Sequence, residues 1–181
     1  MQRKCYKLVT PAIPVTWDNA NSGCKSLGSE LASIESQCEQ NTVFEVANKA
    51  AAWIGGNDKD SEGTFTWPSG TEFYKSGAAV AGVYTNLASG FNSASQTTQH
   101  CVQIQDSDGE WDDVVCSKTL NYVCEKEAYA GAATFIQTTI DTTPLGNCLL
   151  FTILTHKWVM NKILERYESM GSFNIILTTQ G

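Results

Sequence analysis

Residues 101–124 read CVQIQDSDGEWDDVVCSKTLNYVC. Cys101-Val102-Gln103-Ile104 alternates in the manner of a strand, and Asp106-Ser107-Asp108-Gly109 is a turn. Trp111 opens another strand, and Tyr122-Val123-Cys124-Glu125 closes the series. Three of the chain's seven cysteines lie in this one stretch, and no Cys-x-x-Cys pair occurs anywhere. The spacings therefore suit neither a zinc finger nor a thioredoxin-like motif, and structural disulfides in an oxidising compartment are the better reading.

Working outward, the chain has 181 residues and a net charge of −7. The charge is uneven: residues 5–127 hold seven lysines against sixteen acidic residues, while residues 128–181 are balanced at three and three. An acidic chain without a basic cluster is unsuited to nucleic acid or to an anionic membrane surface. No apolar run approaches the roughly 18 residues of a membrane span. Met1-Gln2-Arg3-Lys4-Cys5 lacks the apolar stretch of a signal peptide, so the N-terminus reads as incomplete. Four of the five tryptophans (Trp17, Trp53, Trp67 and Trp111) and six of the seven cysteines precede residue 128. The core is expected there.

Trp17, Ala20, Cys24 and Leu27 recur at helical spacing behind Thr16, a plausible N-cap, and Gly28 is a natural stop. Ser36 and Glu39 form a capping box for a second helix whose buried face is Val43, Phe44 and Ala47. Leu31-Ala32-Ser33-Ile34 is a short extended step, and Ala51–Gly55 reads as a strand ending at a Gly-Gly turn. Thr64–Trp67 is a further short strand. From Pro68 to Gln99 the pattern is Gly-, Ser- and Ala-rich with little periodicity, and reads as one long loop.

In order, Cys24, Trp53-Ile54-Gly55-Gly56, Cys101-Val102, Trp111-Asp112-Asp113, Cys116 and Tyr122-Val123-Cys124 resemble the C-type lectin-like domain. Leu31–Ile34 and Phe65-Thr66-Trp67 sit where that family has similar strings. The resemblance covers about residues 5–127, giving a domain over 1–127. It implies an α+β fold: two helices flanking small antiparallel sheets, a long irregular loop, and disulfide staples Cys24–Cys124 and Cys101–Cys116. It also implies an extracellular binding module that takes a glycan, with protein recognition on the same fold as the alternative. The family's first strand is not found ahead of the first helix, and the family reads Cys5 as half of an N-terminal pair whose partner lies upstream. A Cys5–Cys38 bridge would even the count; the alternative leaves both unpaired. Cys148 stays unplaced.

The same resemblance locates a sugar site. Calcium-dependent members hold Ca²⁺, which takes about six to eight oxygens, through a Glu-Pro-Asn or Gln-Pro-Asp tripeptide, a nearby Glu and a Trp-Asn-Asp. The corresponding residues here are Phe91-Asn92-Ser93, Gln99 and Trp111-Asp112-Asp113. Asp112 and Asp113 are the candidate metal ligands, and with Gln99 and Ser93 the candidate ligand-binding set. Phe91 cannot coordinate and the proline is missing, so the standard site is expected to be lost and no cofactor beyond a weak Ca²⁺ is implied. Asp106, Asp108, Glu110, Asp112 and Asp113 are either a solvated acidic turn or a weak Ca²⁺ site. Asp112 and Asp113 cannot converge in one strand, where neighbours face opposite ways. For protein recognition, Tyr84, Phe73 and Phe91 are the aromatic candidates.

Catalysis finds no support in the sequence. His100 and His156 stand outside any Gly-x-Ser-x-Gly or His-Glu-x-x-His pattern and read as ordinary histidines. In residues 128–181, Leu149–Leu154 and Ile175–Leu177 are apolar and 157–167 could be helical. This segment is expected to be a poorly packed extension, the alternative being the start of a second domain.

Overall fold

The computed structural model describes residues 4–92 and 98–127. The segment 128–181 and Ser93 lie outside the described residues. Helix α1 (Trp17–Ser26) starts on Thr16, whose hydroxyl accepts from Asn19 N–H, and buries Trp17, Ala20 and Cys24. Helix α2 (Gln37–Val46) starts on Ser36, whose hydroxyl accepts from Glu39 N–H, while the Glu39 carboxylate accepts from Glu35 N–H. The two-way capping reading holds, displaced by one residue on the return bond.

Strand β1 (Lys4–Val9) pairs along its whole length with β9 (Asn121–Glu127), Lys4 opposite Glu127 and Val9 opposite Tyr122. The expected absence of a first strand is therefore wrong. Its six residues alternate too weakly to be recognised alone, because a single buried side chain, Tyr6, marks the inner face. Strand β9 also takes β2 (Glu30–Leu31) antiparallel and β3 (Ala52–Asn57) parallel. Beyond β3 lie β4 (Thr64–Thr66), β5 (Glu72–Lys75) and β6 (Ala78–Ala79) on one side, and β7 (Cys101–Ile104) with β8 (Trp111–Val114) on the other.

Two local expectations change. Strand β3 does not stop at the glycines but runs on to Asn57, with a register shift against β7 between Trp53 and Asn57. Both glycines are there for space. A Cβ on Gly55 would stand 2.5 Å from the Pro68 ring and 2.9 Å from the Leu31 carbonyl, and one on Gly56 would stand 2.9 Å from Val102 and 3.0 Å from Phe73. Nor is 68–99 one loop. It contains the β5–β6 hairpin, whose connecting residues Ser76 and Gly77 both have positive φ, as a tight twisted hairpin requires.

Two disulfides staple the fold, Cys24–Cys124 and Cys101–Cys116, with Cα separations of 5.5 and 5.1 Å. The Cys5–Cys38 pairing does not form: Cys38 is disulfide-bonded and Cys5 is free. The cause is strand alternation. Lys4 and Tyr6 turn toward α2, where Lys4 Nζ is 3.3 Å from Glu39, so Cys5 between them faces away from the helix that carries Cys38.

The core divides in two. One part lies around Trp17, Leu31, Trp53 and the outer disulfide; the other is built on Ile34, Val43, Ile54, Val102 and Trp111 and runs into a run of aromatic rings. There Trp67 stacks on Phe73 at 4.3 Å between centroids, and Phe91 meets Phe65 at 4.8 Å and Tyr74 at 5.2 Å. These rings give the irregular loop a floor.

Candidate functional site

The β7–β8 hairpin sets Val102 opposite Asp113 and Gln103 opposite Asp112, so the two aspartates leave the sheet on opposite faces. Asp113 goes inward. It is 1% exposed, and its Oδ1 accepts from Asn92 N–H at 2.6 Å. Burial first, and then the charges of Asp112 and Asp58, push its carboxyl above the usual range despite that bond. Asp112 goes outward, half-buried, toward Gln103, whose own carbonyl oxygen accepts from Lys118 Nζ at 2.8 Å.

The long loop is laid against this hairpin. Trp111 N–H donates to Asn86 O at 2.7 Å, Ala88 N–H donates to Trp111 O at 2.8 Å, and Asn86 Nδ2 donates to Gly109 O at 3.0 Å. The chain then reaches Phe91. Its ring is buried among Phe65, Phe73 and Tyr74, so this position serves the core instead of a ligand. Phe73 is buried with it, and the half-buried Tyr84 donates its hydroxyl to Gln37 Oε1 at 3.1 Å. Gln99 is half-buried. Its Oε1 and Asp113 Oδ2 are buried oxygens without a hydrogen-bond partner among the described residues.

Of the predicted set, Asp113 and Gln99 thus offer spare oxygens, Asp112 points to the other face, and Ser93 is not described. The acidic turn does not join them. Asp106 and Asp108 are exposed, and Asp108 Oδ1 accepts from Glu110 N–H at 2.9 Å, a local turn bond. Gly109 O binds Gln40 Nε2 at 2.6 Å, which ties the turn to α2 instead.

One group escaped the sequence reading. His100 Nδ1 lies 3.0 Å from Asp58 Oδ1 and 3.3 Å from Glu62 Oε2. The Asp58 side chain is fully buried, and its Oδ2 accepts from Gly63 N–H at 2.8 Å, closing the turn after β3. The available signal was Asp58-x-x-x-Glu62-Gly63 directly after a strand, with a histidine beside a bridged cysteine.

The chain belongs to the C-type lectin family: the model described as Lectin C-type domain matches residues 13–126. The chain is similar to the mouse low affinity immunoglobulin epsilon Fc receptor, 32% identical over 128 residues, or 70% of this chain. It spans 35% of that receptor's length. Among solved structures it is similar to the cow C-type carbohydrate-recognition domain of CD23, crystallised with a GlcNAc2Man3 oligosaccharide. That match has a TM-score of 0.59 and 32% identity, and covers 72% of this chain and 92% of the other. It is also similar to a calcium-independent type II antifreeze protein, with a TM-score of 0.57 and 27% identity, covering 70% and 88%. The family is one of binding modules, and the described residues contain no helix long and apolar enough to cross a membrane.

Proposed function

We propose that this chain is an extracellular carbohydrate-recognition module whose ligand face is the inner edge of β8 and the loop end around Asn92–Gln99, working without the family's usual calcium. The observation that carries this reading is the pair of unpartnered buried oxygens, Asp113 Oδ2 and Gln99 Oε1, beside a ligand position taken over by a buried Phe91. Two orphaned oxygens suit hydrogen bonding to sugar hydroxyls. They fall short of the roughly six to eight oxygens a calcium takes, and Asp112 cannot join them from the opposite face. The residues present do not fit the ion, and no sugar contact is routed through it. The glycan held by the cow CD23 domain supports the ligand class, and the calcium-independent antifreeze protein supports the fold's standing without the metal. Two disulfides in the described domain favour an oxidising, extracellular setting. The protein-recognition alternative loses support, since Phe73 and Phe91 are spent in the core.

The test is a glycan array probed with the full chain in calcium and again in chelator. Glycan binding is expected in both, and Asp113→Asn should weaken it about tenfold, the loss of one charge-assisted hydrogen bond. Binding abolished by chelator would restore the calcium-dependent mechanism. Binding to no glycan in either buffer would leave protein recognition as the function.

A further inference from the structure

Two carboxylates converge on a single ring nitrogen. The Nδ1 of His100 faces both Asp58 Oδ1 and Glu62 Oε2, and the ligand-capable atoms of the three residues all lie within 4.8 Å of one another. A proton on Nδ1 satisfies one of these oxygens well and the other poorly. With the imidazole neutral, the group carries two negative charges. Among the described residues, His100 is the sole basic side chain within ion-pair distance of either acid.

A dication answers both problems. It would take the Nδ1 lone pair, leave the proton on Nε2, and balance both carboxylates. The spacing also suits one. A tetrahedral ion with bonds of roughly 2.0–2.1 Å places its ligand atoms about 3.3–3.4 Å apart, and the observed separations are 3.0 and 3.3 Å. Calcium asks for longer bonds and an all-oxygen shell, whereas imidazole favours the zinc class of metals.

The ligands are already held in place. Asp58 is fixed through Oδ2 by Gly63 N–H, and its own N–H donates to His100 O at 3.2 Å. His100 is anchored by its neighbour Cys101, which is in the inner disulfide. Glu62 is exposed and stands where an ion would enter. A second observation points the same way. The buried Asp113, whose Oδ2 has no partner, feels the charge of Asp58, so this corner of the molecule holds more negative charge than its described side chains neutralise.

We propose that Asp58, Glu62 and His100 form a binding site for a zinc-type dication, with water completing the shell. The site stands independently of the glycan reading, since neither Glu62 nor His100 belongs to that face. The experiment uses the oxidised full chain carrying Cys5→Ser, which removes the free thiol as a competing ligand. Zinc chloride alone is titrated calorimetrically, and the complex is weighed by native mass spectrometry. One zinc per chain is expected, retained against about 100-fold excess calcium because the nitrogen ligand favours zinc. His100→Gln should weaken binding more than about 100-fold, beyond the range for loss of an outer-shell partner. Glu62→Gln, at an exposed position that leaves folding intact, should weaken it by at least about tenfold. Affinity should also fall as pH drops and protons compete for the imidazole. No retained zinc, zinc held equally well by both variants, or displacement by equimolar calcium would each overturn the proposal.

Discussion

Glu125 is a carboxylate in the wrong solvent. Its neighbours on β1 and α2 gather around Lys4, whose Nζ lies 3.2 Å from Glu35, 3.3 Å from Glu39 and 3.4 Å from Glu125. Burial opposes the charge on Lys4, but the three carboxylates outweigh it and hold the ammonium's pKa high. One ammonium cannot serve three anions. Glu35 finds hydroxyl partners in Thr71 and Ser69, which keep its pKa low against its own burial. Glu125 is left to burial, which pushes its pKa up to about 7. A carboxyl whose folded pKa exceeds its unfolded value contributes stability that is full below the unfolded pKa and lost as pH rises through the folded one. Folding stability should therefore decline by about 3 kcal/mol between pH 4.5 and 7.5 from this group. Glu35 acts only in more acidic solution and Lys4 only in more alkaline solution, so the window belongs to Glu125. Urea unfolding across this range should show the slope in the wild-type chain and a flatter profile in Glu125→Gln. Equal slopes in both would show that the cluster titrates elsewhere.

At the scale of elements, the two helices are legible because each carries its start signal and its buried stripe within one dozen residues. Thr16 with Trp17–Cys24, and Ser36 with Glu39–Val43, need no distant information. The strand through Gly55-Gly56 is not legible locally. What demands small residues there is the Pro68 ring and the Val102 side chain, which arrive from elsewhere in the chain. The candidate site divides the same way. Phe91 at a ligand position announces itself as non-coordinating, whereas Asp58 and His100 are 42 positions apart and meet only after β3 pairs with β7. That pairing is secured by the inner disulfide, and the two bridges differ in access. Cys24 and Cys124 are 0% and 2% exposed, while Cys116 is half-buried. Thiol–disulfide exchange needs access to a sulfur. Mild reductant under native conditions should therefore open Cys101–Cys116 first, which differential alkylation with mass spectrometry would reveal, at a stability loss of about 3 kcal/mol for a 15-residue loop. Earlier labelling of Cys24 or Cys124 would contradict this ranking.

For the whole molecule, the decisive feature is that the last described strand is a central one. Strand β9 pairs with β1, β2 and β3 at once, and joins Lys4 to Glu127 across nearly the entire domain. Contacts of such sequence separation are slow to form, since the chain must lose its loop-closure entropy before they reward it. The Cys24–Cys124 bridge closes a loop of 100 residues and lies inside one half of the core, within the strand that everything else leans on. In the chain-entropy account such a crosslink contributes about 4.7 kcal/mol, a large share of the roughly 5–15 kcal/mol that holds a domain together. Replacing both cysteines with alanine should therefore bring the domain close to its unfolding midpoint in water, measurable by the urea midpoint and by near-ultraviolet dichroism. The kinetic consequence is more telling. With the bridge intact, refolding from urea starts with β9 already tethered to α1, so removal should slow refolding more than it speeds unfolding. A chevron in which only the unfolding arm moved would mean that β9 docks after the rate-limiting step, and that the bridge locks a fold assembled around some other nucleus.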